Sequence, residues 1–464
     1  MTTANRLVVA PDALPRSTST NASSMSPAQE HGSAGRRKFW TIALLAAATA
    51  CVPALSGCNS RDEGGGDTPQ GFTSEGLANV HATMAGYVDR GALPGLVTLL
   101  DRGGEVHVDP IGRSSIGGEP MRRDTIFRIA SMTKPITAAA AMILLEEGKL
   151  QLDESVERLL PELGSRQVLR RIDAPLDDTV PAKRSITVRD LLTFTMGFGI
   201  VFPFDTYPIQ KAATELRIGY GPPEPRSVPD PDEWLRRFAT LPLMFQPGER
   251  WAYNTGADVL GVLIARASGK PFDAFLRERI FEPLGMKDTD FSVPPAKTGR
   301  FTASYFANPT TGGLDLFDSI QESAWSEPPA FPSGAGGLVS TVDDYLIFAR
   351  MLLSKGKHNG VQILSAASVE AMTTDQLLPS QKVEGDFFPN FWATRGWGFG
   401  VAIITQPDDV SQVPGRYGWD GGLGTYWFSD PGRNFVGVLL TQRSLDESGP
   451  ANDFWKAAYQ AMTH

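Results

Sequence analysis

"IASMTKPITAAAAMILLEEGKL", residues 129–150, sets a serine three residues ahead of a lysine and follows both with an apolar run that reaches Glu146. Residues i and i+3 share one helix face, so the spacing predicts the Ser131 hydroxyl beside the Lys134 ammonium. Pro135 falls in the first turn, where its missing N–H costs little. The run "AAAAMILL" predicts a buried helix. Burial lowers a lysine pKa, by up to ~3–5 units in extreme cases, and a helix N-terminus adds a field that favours a developing oxyanion. Two readings fit the tetrapeptide alone: Ser131 is a nucleophile with Lys134 as its base, or Ser131 caps a buried helix. A second S-x-x-K, Ser354 with Lys357 in "LLSKGKHNG", lies in a Gly-rich loop after a helix and reads as coincidence.

The chain has 464 residues, 41% hydrophobic and 20% charged, a composition able to build a large core. Its formal net charge of -9 and lack of a basic stripe argue against nucleic acid as partner. Five histidines, His31, His81, His107, His358 and His464, are too scattered for metal-ligand spacing, as are the two cysteines, so no metal and no cofactor are expected. No G-x-S-x-G elbow is present and no histidine lies near a motif, which excludes a conventional α/β-hydrolase.

Residues 1–58 read as an export signal. "GRRKFWTIALLAAATACVPALSGC" places Arg36, Arg37 and Lys38 before an apolar run that ends in small residues. That run is shorter than the ~20 residues of a comfortable bilayer span. "RRKFW" is similar to a twin-arginine signal, and "LSGC" resembles the bacterial lipobox, in which Cys58 is cut free and lipidated; translation starting at Met25 would fit the late position. The expected location is the extracytoplasmic face of a bacterial membrane, held by an N-terminal lipid. Cys51 would be removed and Cys58 lipidated, leaving the mature domain without a disulfide. Residues 59–75, beginning "NSRDEGGGDTPQG", read as a flexible tether, and the domain as 76–464.

Within that domain, Ser74–Arg90 shows helical periodicity, and "LPGLVTLLDRGGEVHVDPIGRSS" predicts two strands turning at Gly103-Gly104. Thr187 with Asp190 forms a capping-box pattern before "LLTFT", and Ser340 with Asp343 a similar one before "DDYLIFARMLL". Gly269 fits the C-terminal cap of "ADVLGVLIARAS". "YGPPEPRSVPDPDEW" is too rich in proline for regular structure and reads as a long loop, a candidate lid over the site. Beyond residue 395, "WGFGVAIIT", "GRYGWDGG", "GTYWFSDP" and "NFVGVLLTQR" alternate as antiparallel strands, and "ANDFWKAAYQAM" closes with a helix. Strands at both ends predict an α/β (α+β) fold: one antiparallel sheet flanked by helices, with an all-helical subdomain inserted over roughly 150–340.

Two distant segments bear on Ser131. "FQPGERWAYNTGADVLG" places Tyr253 just before a helix, and "YGWDGGLGTYW" places Trp419-Asp420-Gly421 on a glycine-flanked strand. These three stations, in this order, resemble the serine β-lactamase and penicillin-binding protein superfamily, where S-x-x-K is joined by Y-x-N and K-T-G or their equivalents. "DTIFRIASMTKPITAAAAMILLEEGKLQLDESV", "ITVRDLLTFTMGF", "FEPLGMKDT" and "GGLVSTVDDYLIFARMLL" extend the similarity to class C relatives over nearly all of 74–464. The resemblance implies Ser131 as acylated nucleophile, Lys134 as its base and Tyr253 as proton relay. It also implies an oxyanion hole from the backbone N–H groups of Ser131 and Gly422, and substrate contacts from Trp419, Gly421 and Thr255.

Two departures matter. Tyr253-Asn254-Thr255 lacks the asparagine two places after the tyrosine, and a one-residue shift is expected to point Asn254 elsewhere. Trp419 stands where relatives carry a lysine or histidine that helps bind a substrate carboxylate. Arg416, three positions earlier, is expected on the opposite side of the strand. The site therefore suits a neutral, partly apolar ester, and Trp-x-Gly resembles the family VIII carboxylesterases. The alternatives are a β-lactamase or D-alanyl-D-alanine carboxypeptidase acting on a lactam or peptide, and a non-catalytic binding lipoprotein. Phe198, Trp392 and Tyr426 are candidates for the acyl pocket, with core packing the competing use of each.

Overall fold

Strand β1, Gly95–Arg102, is buried along its whole length, and its side chains divide between two cores, as alternation along a strand requires. Val97 and Leu99 enter one cluster, Leu96 and Leu100 the other. The computed structural model describes residues 71–463 except 205, 309, 386 and 445–448; the expected export signal, Cys58 and most of the expected tether lie outside the described residues, as do Leu445–Ser448 and His464.

β1 turns at Gly103-Gly104 into β2, Glu105–Gly112. Both glycines take positive φ, 61° and 95°, the left-handed pair that a tight two-residue hairpin needs. The remaining strands of the sheet come from the other end of the chain: β3, Arg395–Trp397; β4, Ala402–Ile404; β5, Tyr417–Gly421; β6, Thr425–Asp430; β7, Phe435–Thr441. Their order is β3-β4-β5-β6-β7-β1-β2, antiparallel throughout. The sheet is thus completed by both ends of the chain, as the sequence predicts.

Helices cover both faces. α1, Ser74–Asp89, and a terminal helix, α5, Ala451–Gln460, pack together over one face through Val80, Met84, Phe454 and Trp455. Over the other lie α2, Thr133–Glu146, and two more apolar helices, α3, Thr255–Ser268, and α4, Val342–Leu353. In α2 every residue from Thr133 to Leu144 is buried. Its alanines combine the highest helix propensity with the small volume that close packing on all sides demands.

Four boundaries differ from the sequence reading. The last residues of the Pro-rich stretch open a helix, Pro231–Thr240, with Asp230 as its cap and Pro231 in the first turn, where proline is tolerated. Residues 71–75 belong to the fold and not to a tether. Gly71 N–H donates to Thr463 Oγ1 at 3.1 Å, Phe72 bridges Met462, and Thr73 caps α1. The inserted region is not all-helical. Alongside Val188–Leu192 and Pro231–Thr240 it contains the two-stranded ladders Gln167–Leu169/Thr179–Pro181 and Ser304–Ala307/Leu314–Asp318. Such short, turn-rich stretches satisfy their backbone groups by local pairing where helices cannot run. Finally, α4 is capped by Thr341, whose hydroxyl accepts from Asp344 N–H at 3.2 Å, while Ser340 Oγ lies 2.8 Å from Thr289 Oγ1. The capping box at Thr187 and Asp190 and the left-handed C-cap at Gly269 stand where the sequence places them. Among the described residues no helix is long and apolar enough to cross a membrane.

At Gly437 on β7 a Cβ would lie 2.3 Å from a ring carbon of Trp455. Overpacking a fixed contact of this kind costs about 1–3 kcal/mol. Gly437→Ala is therefore expected to lower the unfolding free energy by that amount in urea titrations, and an unchanged midpoint would show that α5 does not press on the sheet as described.

Candidate active site

Ser131 sits in a tight turn, Ala130–Met132, that leads into α2. Ala130 has φ 43°, a strained value for a residue with a Cβ. The turn is held from the sheet side. Thr425 Oγ1 donates to Ile129 O at 3.0 Å, and a Cβ at Gly421 would lie 2.2 Å from that same oxygen. Glycine at 421 is what lets the end of β5 approach the serine turn. No side chain caps α2, so Ser131 is not an N-cap. Its hydroxyl instead accepts from Lys134 Nζ at 2.9 Å.

Lys134 is 1% exposed. Its ammonium has three N–H donors, and three acceptors surround it: Ser131 Oγ, Asn254 Oδ1 at 2.8 Å and Ala335 O at 2.6 Å. The nitrogen also lies 4.4 Å from the centroid of the Tyr253 ring. Burial pulls its pKa down to about 7, with the Asp258 charge acting in the opposite sense. Near neutrality this lysine can therefore carry or release a proton.

The Asn254 contact corrects the sequence reading. Asn254 has φ 87° and ψ -70°, a strained γ-turn conformation. This turn aims its amide at Lys134, so the one-residue shift does not remove it from the site. Asp258, one helical turn along α3, is a site residue that the sequence reading does not include. It is buried, accepts from Ser333 Oγ at 2.6 Å and Ala335 N–H at 3.1 Å, and so fixes the carbonyl that receives Lys134. Burial raises its carboxyl pKa. An acid in the first turn of an otherwise apolar helix was the available signal.

Tyr253 is buried against Phe194, Trp251 and Trp419. Trp419 Nε1–H donates to its phenol oxygen at 2.8 Å. Burial raises the phenol pKa, offset in part by hydrogen bonds to Ser131 and Trp419, so Tyr253 is protonated at neutral pH. Trp419 thus does more than offer a surface: it holds the tyrosine.

Ser131, Tyr253, Asn254, Trp419 and Gly422 line one cleft of about 460 Å³. Its walls are largely aromatic, with Phe202, Phe204, Phe387, Phe388 and Phe391 beside Tyr253 and Trp419. Gly221, Pro222 and Pro223 of the Pro-rich loop complete it. Thr255, expected at the substrate, is instead buried at the start of α3 and does not line the cleft. Gly421 acts at the serine turn. Phe198 packs on Phe238 in the core, and Tyr426 lies in the cluster beneath α1 and α5. Trp392 stacks edge-on against Trp251 and Phe391, behind the lining residues. Arg416 pairs with Asp408 away from the site. Among the described histidines, His81 pairs with Asp109, and none lines the cleft. Among the described residues no acid, histidine or cysteine cluster is placed to hold a metal. A roomier groove of about 730 Å³, lined by Arg170, Arg171, Tyr207 and Phe245, shares no residue with this cleft.

A buried lysine against a serine, a tyrosine facing both, and this sheet order define a serine hydrolase of β-lactamase fold. The chain belongs to the β-lactamase family, whose model matches residues 80–461. It is 40% identical over 378 residues to the protein Rv1367c of Mycobacterium tuberculosis, covering 79% of this chain and 90% of that one. With the esterase EstB of Burkholderia gladioli it shares 32% over 384 residues, 77% of this chain and 88% of EstB. Among solved structures, EstCE1, described as a hydrolase with promiscuous acyltransferase activity, superposes with a TM-score of 0.68 at 25% identity, covering 83% of this chain and 99% of its own.

The Asn254 oxygen stabilises the charged form of Lys134. Removing it lowers the lysine pKa further. Asn254→Gly suits the positive φ and is expected to move the acid limb of the kcat/KM profile to lower pH, with about a tenfold loss of rate at pH 8. A limb that stays in place would show that the amide does not act on the lysine.

Proposed function

We propose that this protein is an esterase that cleaves neutral, partly apolar carboxylic esters through an acyl-enzyme on Ser131. The observation that carries the reading is the buried Lys134 ammonium hydrogen-bonded to Ser131 at the floor of an aromatic cleft. Trp419, at the station where the resemblance to β-lactamases and peptidases implies a cation, supports an ester over a substrate bearing a carboxylate there. The esterase relatives support it as well.

In the proposed cycle neutral Lys134 takes the Ser131 proton as Oγ attacks the ester carbonyl carbon. The carbonyl oxygen gains the negative charge and is met by the backbone N–H groups of Ser131 and Gly422; one such donor is typically worth about 3–4 kcal/mol in the transition state. Tyr253 gives its phenol proton to the departing alkoxide, the C–O bond breaks, and the proton on Lys134 passes back to Tyr253. The same pair then takes a proton from water as its oxygen attacks the acyl carbon. Ser131 leaves with the proton and the carboxylic acid is released. Trp419 N–H holds the phenol oxygen in place throughout.

Turnover of nitrophenyl butyrate by the wild type, lost in Ser131→Ala by at least a thousandfold, is the expected result, with a chromogenic cephalosporin cleaved far more slowly. Because Lys134 must be neutral to act, kcat/KM is expected to fall as pH drops through about 7. A cephalosporin turned over faster than the ester would replace this reading with a β-lactamase.

The proposal extends to location: export directed by residues 36–58 and a lipid on Cys58, supported by the basic, apolar and small-residue order of that segment. Metabolic labelling with a fatty-acid probe in a bacterial host is expected to mark the wild type and not Cys58→Ala. Equal labelling of both would end the lipoprotein reading and leave the chemistry untouched.

A further inference from the structure

One part of the cleft wall does not suit an apolar occupant. Arg395, which opens β3, and Asp420, next after Trp419 on β5, both line the cleft. Arg395 Nε and Asp420 Oδ1 are sealed from solvent without a hydrogen-bond partner. Neither side chain makes a hydrogen bond or ion pair with any described residue; the Arg395 guanidinium lies 5.1 Å from the centroid of the Phe391 ring. Burial pushes the Asp420 carboxyl up to about 6, with the Arg395 charge pulling the other way. The remaining polar atoms of these two half-buried side chains are not sealed and have no partner among the described residues, so in the wall of one cleft it is they that an entering group would meet.

The charges of the two residues define that group. They offset each other, so a carboxylate would face Asp420 and an ammonium would face Arg395. A neutral group that accepts from the guanidinium and donates to the carboxylate satisfies both. We propose that Arg395 and Asp420 are specificity-determining residues that bind an uncharged amide or hydroxyl group of the substrate, separate from the scissile ester. This rests on the esterase reading and narrows it: the cleft selects esters that are apolar along most of their length and carry one such polar group.

The test uses two matched pairs of esters with the full-length protein. In one the amide is in the acyl part, nitrophenyl N-acetylglycinate against nitrophenyl pentanoate. In the other it is in the alcohol, 2-acetamidoethyl butyrate against pentyl butyrate. Comparing the amide-to-alkyl ratio of kcat/KM between enzymes cancels the intrinsic reactivity of each ester. In at least one pair that ratio is expected to fall about tenfold in Arg395→Met and in Asp420→Ala, the size expected for a hydrogen bond to a charged group. Arg395→Lys, which keeps a donor, is expected to recover part of it. Alkyl esters cleaved with the same ratio in wild type and every variant would overturn the subsite alone and assign the gap to ordered water. A wild type that cleaves none of the four esters would overturn the esterase reading, and the subsite with it.

Discussion

A lysine ammonium inside a protein needs an acceptor for each of its protons, and meeting that need at Lys134 dictates how three remote segments are placed. The turn before α2 brings the Ser131 hydroxyl, the approach to α3 brings the Asn254 amide, and residues 333–335 bring a carbonyl. Each lies far from the others in the chain, yet all converge on one nitrogen. Asp258 stabilises the third by accepting from the serine and backbone N–H that precede and hold it. Removing solvent from this cluster makes the ammonium costly and its neutral form accessible, which is the property a base requires.

The convergence is bought with backbone strain. Ala130 and Asn254 both hold positive φ, at 43° and 87°, and both flank the cluster. Such conformations persist where surrounding structure over-determines them. Here α2, buried on every side, and the β5–β6 end, clamped on Ile129, supply that rigidity. The Ser131 hydroxyl faces the cleft because the turn is bent, and the turn stays bent because the core on which it rests cannot yield.

Much of this was legible from local pattern. The β1–β2 hairpin, the buried helix after Ser131 and the four strand signals after residue 395 follow from periodicity and turn chemistry within a few residues of each other. The serine and lysine share a face by their spacing alone. Tyr253 emerged from resemblance, since nothing local separates a relay tyrosine from a packing one. Asn254 escapes register arguments, which assume ordinary dihedrals, because its strained turn redirects the side chain. The cleft aromatics escaped for another reason. Phe202 and Phe204 lie in one loop and Phe387, Phe388 and Phe391 in another, with no periodicity to announce a shared wall. Arg395 and Asp420 reach one cleft only through the order of the strands that carry them.

β1 lies between β2 and β7, and Leu96 pairs with Thr441 across that last junction. Domains begin to organise from the N-terminus while the ribosome is still at work, so one edge of β1 stays open until the residues of β7, more than 300 positions on, have emerged. Closing a sheet with so distant a partner is a slow, late event. The clamp on the serine turn, from Gly421 and Thr425, arrives in the same final stretch. A polypeptide cut short before β6 therefore lacks the contacts that shape the turn at Ser131.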